Sequence, residues 1–118
     1  MAYVPQRFIG PKKVNSFIET AYTFSTKSIV KEIIVSNFSG STLPFSLYLL
    51  PSNGEDLIVQ SGLDLSILDQ YKIYGETVVS NNTTIRLPFN LIINAGEKLA
   101  TKSTTNNCIN ITISGTTV

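Results

Sequence analysis

With no histidine in the chain, the side chains best placed to act as acid, base, nucleophile or hard metal ligand near neutral pH are eight carboxylates and one thiol. The carboxylates are Glu19, Glu32, Glu55, Asp56, Asp64, Asp69, Glu76 and Glu97. A glycosidase needs two carboxyl groups facing each other across a bond, and no local spacing here builds that pair. Glu55, Asp56, Asp64 and Asp69 fall within one stretch, as acids of a Ca²⁺ loop would, but they lack the alternate-residue oxygen ligands of an EF-hand. They are read as a solvated loop. Cys108 has no histidine to act as its base, so it reads as a small, half-buried apolar residue. One cysteine without histidine also leaves zinc, iron and copper without a ligand set. There is no Gly-x-Ser-x-Gly, no phosphate-cradling loop and no dinucleotide fingerprint. The sequence therefore predicts no catalytic residues, no cofactor and no metal.

Binding chemistry has better candidates. Residues 1–14 carry Arg7, Lys12 and Lys13 and no acid, while the remainder holds six basic and eight acidic side chains, for a net charge of +1. So small a net charge argues against nucleic-acid binding by phosphate neutralisation. A short basic segment on a mildly acidic body is an arm that docks on an acidic partner, or a solvated tail. Tyr71 and Tyr74 stand in the least regular part of the chain, where amphipathic rings form a surface patch or fill a core. The candidate interface residues are thus Arg7, Lys12, Lys13, Tyr71 and Tyr74. The Asn-x-Ser/Thr triplets at Asn37, Asn81, Asn82 and Asn110 are read as chance products of a Thr- and Asn-rich chain.

The elements that must position these residues are strands. Ile85, Leu87, Phe89 and Leu91 alternate with polar residues and proline, and Ile109, Ile111 and Ile113 alternate with Asn110, Thr112 and Ser114. A period of two marks strands with one face in a core and one in water. Ile29 to Val35 is dense in β-branched residues and predicts a further strand, with the neighbours Lys31 and Glu32 on opposite faces. Strands are also predicted over Phe17–Phe24, Phe45–Leu50, Glu76–Val79, Thr84–Phe89, Lys98–Ser103 and Cys108–Gly115. Pro88 places its strand at an edge or a bulge. Asn53-Gly54 predicts a positive-φ turn, and Asn94-Ala95-Gly96 a further turn. Leu63, Ile67, Tyr71 and Tyr74 recur at helical spacing, which predicts one short helix over residues 65–72, capped by Asp64 and ended by Gly75. Pro5, Gly10 and Pro11 interrupt residues 1–14 too often for a central strand. The expectation is an extended arm over 1–14 and one all-β domain over 15–118. It is a β-sandwich of about seven or eight strands, jelly-roll or immunoglobulin-like.

Apolar residues make up 42% of the 118, enough for one real core. No apolar run approaches the ~20 residues of a membrane span. The first residues lack the apolar stretch of a signal peptide, so synthesis in a cytoplasm without export is expected.

Three groups of residues carry a resemblance. They are Ala21-Tyr22-Thr23-Phe24 with Ile29-Val30-Lys31-Glu32-Ile33; Asn37-Phe38-Ser39-Gly40 with Phe45-Ser46-Leu47-Tyr48-Leu49 and Pro51-Ser52-Asn53-Gly54; and Asn94-Ala95-Gly96-Glu97 with Ile109 to Gly115. In this order, after Gly10-Pro11, they resemble small β-sandwich proteins encoded among the virion genes of tailed bacteriophages. Residues 55–80 look longer than in that pattern. The resemblance implies a virion structural protein, assembled in the host cytoplasm, on the capsid as a decoration or at the neck or tail. It implies partners among other virion proteins, self-association that is often trimeric, and no catalytic residues. A carbohydrate-binding module that recognises a host surface glycan through Tyr71, Tyr74, Asp64 and Asp69 is the alternative; the absence of tryptophan counts against it.

Overall fold

The β-branched run from Ile29 to Val35 forms the heart of a strand, β3 (Ser28–Asn37), in which Val30, Ile33 and Val35 are fully buried. The spacing of three between Val30 and Ile33 breaks the period of two, because a bulge falls between Val30 and Glu32. The computed structural model describes residues 4–61, 65–105 and 108–117; the side chains at 4, 60–61, 65–67, 74–78 and 89 are outside that description. The other strands are β1 (Val4–Val14), β2 (Glu19–Thr23), β4 (Leu43–Leu50), β5 (Lys72–Val79), β6 (Thr83–Ile93), β7 (Lys98–Ser103) and β8 (Ile109–Thr117).

Two four-stranded antiparallel sheets result, in the orders β1-β8-β3-β6 and β2-β7-β4-β5. Each strand pairs with the one equally far from the other end of the chain: β1 with β8, β2 with β7, β3 with β6, β4 with β5. This is one long antiparallel ribbon rolled up and closed by the β3·β8 and β4·β7 ladders. That order is a jelly roll and sets aside the immunoglobulin-like connectivity.

Between the sheets lie Phe24, Phe45, Ile33, Leu47, Ile93, Leu99, Ile109, Ile111 and Ile113, all essentially without exposure. Phe8, Tyr22 and Phe24 close one side of this core. Tyr22 and Phe24 stand edge to face at 4.7 Å between ring centres, and Phe8 and Phe24 at 5.0 Å, the geometry aromatic quadrupoles favour. Two turns carry the backbone strain that their sequences allow. Gly96 (φ 91°) donates its N–H to the Phe24 carbonyl at 2.7 Å, and Asn82 takes the left-handed conformation (φ 52°) between β5 and β6, as Asn tolerates. Asn37 is buried. Its amide donates to the Ser41 and Val79 carbonyls at 2.8 and 2.9 Å, and its oxygen accepts from Ser39. Its triplet is thus a structural clamp.

Several expectations need correction. Residues 4–14 are no arm but the edge strand β1, laddered to β8 from Val4 to Val14, with Phe8, Ile9 and Val14 buried. Proline and glycine are accommodated because an edge strand leaves one side unladdered and register shifts at Arg7/Ile9 and Ile9/Lys12 absorb the interruptions. Lys31 and Glu32 do not point to opposite faces; the bulge turns both outward. Asn53-Gly54 makes no positive-φ turn. Gly54 opens an α-helix, α1 (Gly54–Ser61), with the acids Glu55 and Asp56 in its first turn, where the helix dipole favours them. The helix expected over 65–72 exists as a 3-10 segment, Leu65–Tyr71, and Gly75 lies inside β5 instead of ending it. Asp64 is outside the described residues. Pro88 does sit on an edge strand, directly opposite the bulge at Glu32.

Removal of residues 1–14 is therefore expected to abolish cooperative folding, since it strips three core side chains and one flank of the β8 ladder. Phe8→Ala alone should cost about 3–5 kcal/mol. Urea unfolding followed by circular dichroism checks both, and a truncated chain with a wild-type midpoint would refute the strand's role in the core.

Candidate functional site

The outer faces of the two sheets differ. On the β2-β7-β4-β5 sheet the outward side chains Tyr48, Leu50 and Ala100 are covered by α1 and the 3-10 segment. Together with Ile18 and Leu68 they form a second small core, on which Leu57, Ile58 and Tyr71 pack. The segment that looked long against the resemblance is thus a lid over one sheet. On the β1-β8-β3-β6 sheet no helix among the described residues covers the outer face. Its strand registers lay out cross-strand rows: Lys13, Asn110, Ser36 and Thr84; then Thr112, Ile34 and Arg86; then Arg7, Ser114, Glu32 and Pro88; then Pro5, Thr116, Ile29 and Ile92. The face is hydroxyl- and amide-rich with isoleucines between, and Ile92 is 57% exposed. The Ser36 and Thr84 hydroxyls hydrogen-bond across strands at 2.9 Å, a cross-strand pair that stiffens the face.

Where the bulge of β3 lies beside the register shift of β1, the face carries a shallow, open hollow of about 460 Å³ lined by Pro5, Gln6, Arg7, Lys31, Glu32, Ser114 and Gly115. Gly115 makes it possible: a Cβ there would collide with the Ile29 carbonyl oxygen and stand 3.0 Å from the Lys31 nitrogen. A missing side chain lets the β3 backbone bulge toward β8. Around the hollow the Glu32 carboxylate accepts from Arg86 Nε at 2.6 Å, and Lys31 Nζ donates to Asn90 Oδ1 at 2.9 Å. Arg7 has no hydrogen-bond or ion-pair partner among the described residues.

Of the candidate interface residues, Arg7 lines this hollow, while Lys12 and Lys13 lie exposed farther along β1 on the same sheet edge. Tyr71 is elsewhere, half-buried against the second core, so its ring packs. The side chain of Tyr74 is outside the described residues; its backbone belongs to β5, opposite Leu47. Asp69 is exposed and 3.8 Å from Lys72 Nζ. Sequence reasoning missed Lys31, Glu32, Ser114 and Gly115. The signal for them was a glycine in the interior of an alternating strand, which marks a bulge or a close approach.

Among the described residues no three His, Cys, Asp or Glu side chains converge, and no helix is long and apolar enough to cross a membrane. Cys108 is half-buried against the main core.

No protein-family model matches the chain, and no curated protein matches it either. A chain of the T13 IBDV viral particle is similar in structure, with a TM-score of 0.43 and 10% sequence identity. The match covers 98% of this chain and 31% of that one, so this chain spans about a third of its length.

Two substitutions on the face, with a loop glycine as the control, test its geometry. Gly115→Ala should destabilise by about 3 kcal/mol through overpacking, whereas Gly40→Ala, with open space around it, should change stability by less than about 0.5 kcal/mol. Thr116 Oγ1 is buried on the outer row of β8 with no partner among the described residues. Thr116→Val removes an unpaired hydroxyl and should leave stability unchanged or raise it by about 1 kcal/mol. Thermal unfolding of the three variants checks this, and a large loss for Thr116→Val would mean that the hydroxyl is paired.

Proposed function

We propose that this chain is a virion structural protein of a tailed bacteriophage, a non-enzymatic accessory of the capsid, neck or tail that acts by packing on neighbouring virion proteins. The observation that carries the reading is the asymmetry of the sandwich. One sheet has its outer face closed by the chain's own helices, and the other presents a broad face of Thr, Ser, Asn and Ile. A sheet face without cover, dotted with exposed isoleucine, suits contact with another protein surface. The strand-and-turn likeness to small phage virion proteins supports the same reading. The jelly roll is compatible with it, though that fold also hosts lectins and cupins.

The contact is by face and not by edge. β1 carries Pro5, Pro11 and two register shifts; β6 carries Pro88; β2 has five residues and a shift; β5 shifts twice against β4. Prolines, bulges and short length are the devices that keep edge strands from recruiting another chain. On this reading the protein is made and assembled in the host cytoplasm and joins a symmetric site as an oligomer. Tyr71 packs against the second core, which takes one ring away from the glycan-binding alternative.

Ile34→Lys together with Thr112→Lys places two charges in the middle of the open face without touching the core. Such a variant should unfold like the wild type but be missing from purified particles by quantitative mass spectrometry. Normal incorporation would overturn the reading. Light scattering on a size-exclusion column should show whether the free protein is already an oligomer, and the double variant would then run as a monomer.

A further inference from the structure

We infer that the hollow on the open sheet is a receptor for a carboxylate side chain of a partner protein, presented on an acidic segment. This deepens the packing reading above, on which it rests, by naming the chemistry of the neighbour at one point.

Three features of the hollow select an anion. Arg7 stands at one wall with its guanidinium unpaired among the described residues, so its fork of donors is available. Lys31 lines the same hollow; its ammonium is held toward β6 by Asn90 and has donors left for an anion at the β3 side. The one acid of the lining, Glu32, is already engaged by Arg86 at 2.6 Å, so the local balance stays positive. Ser114 lies on β8, between the strands that carry the two cations, and Gly115 lines the floor with its backbone.

The geometry favours a carboxylate over a nucleic-acid backbone. Arginine binds a carboxylate or a phosphate group through two parallel N–H···O bonds, so the extent of the basic surface decides between them. A phosphate backbone needs a track of cations, whereas this is one pit beside a carboxylate, in a chain of net charge +1. The rest of the basic edge, Lys12 and Lys13, lies at the far end of β1 and can steer an acidic partner without lining the pit.

The test is a titration of the full chain with a capped tetra-glutamate peptide, followed by backbone amide shifts in NMR. Shifts confined to Arg7, Lys31, Ser114, Gly115 and their neighbours are expected. Arg7→Ala should raise the Kd about tenfold, and Lys31→Ala about fivefold, while Lys27→Ala, in an exposed turn, should leave it unchanged. Binding should weaken as salt is raised from about 0.01 M to about 0.1 M, because the screening length falls from ~30 Å to ~10 Å. Shifts spread evenly over Lys12, Lys13, Lys98 and Lys102, or an unchanged Kd in Arg7→Ala, would overturn the inference. So would tighter binding of a single-stranded oligonucleotide than of the peptide. If the peptide fails to bind while Ile34→Lys with Thr112→Lys still abolishes incorporation, the carboxylate site falls and the packing reading stands.

Discussion

The antiparallel ladder between the first strand and the last is the constraint from which the rest of the molecule follows. With β1 on β8, the ribbon between them is paired in the same sense along its length: β2 against β7, β3 against β6, β4 against β5. Rolling that ribbon puts β8 and β3 in the middle of one sheet and β7 and β4 in the middle of the other. The inward side chains of β3 and β8, Val30, Ile33, Val35, Ile109, Ile111 and Ile113, are accordingly buried to 1% exposure or less. Hydrophobic burial between the sheets supplies the favourable free energy. The ladder decides which apolar residues meet.

Two local irregularities convert that regular object into one with a recognisable place on its surface. The β3 bulge is shared by the ladders to β6 and β8, and β1 shifts register beside it. Both extra residues have to go somewhere. Phe8 goes inward to the aromatic cluster, and Lys31 goes outward. Gly115 is the hinge between these solutions, since only a residue without Cβ lets β3 approach β8 there. The same local geometry therefore fills a corner of the core and opens a charged depression on the opposite side of the sheet.

Much of this was legible in the residues. The alternation of Ile109, Ile111 and Ile113, the β-branched density of β3, the Gly96 turn and the edge position of Pro88 are all local effects, and each is where its chemistry places it. What was not legible was non-local. Pro5, Gly10 and Pro11 looked like breakers because their tolerance depends on β1 being an edge, which only the sheet order establishes. Asn53-Gly54 looked like a positive-φ turn, although Glu55 and Asp56 behind it carried the signature of a helix start. The choice between jelly roll and immunoglobulin-like order depends on which strands lie side by side. The hollow likewise needs residues from three strands about 25 to 110 positions apart, a separation that no local pattern reveals. Arg7 was singled out by its charge, and only the register with Ser114 gave it a setting.

The closing ladder also imposes an order in time. Chains emerge from the ribosome N-terminus first, at ~5–20 residues per second. β1 and β8 are separated by most of the chain, so β1 waits several seconds, at least, for its partner. Through that interval Phe8, Ile9 and Val14 have no sheet to bury them, while β3, β4, β5 and β6 can begin to pair with one another. The prolines and interruptions of β1 then serve a second purpose: a segment that must wait exposed is one that makes a poor template for another nascent chain.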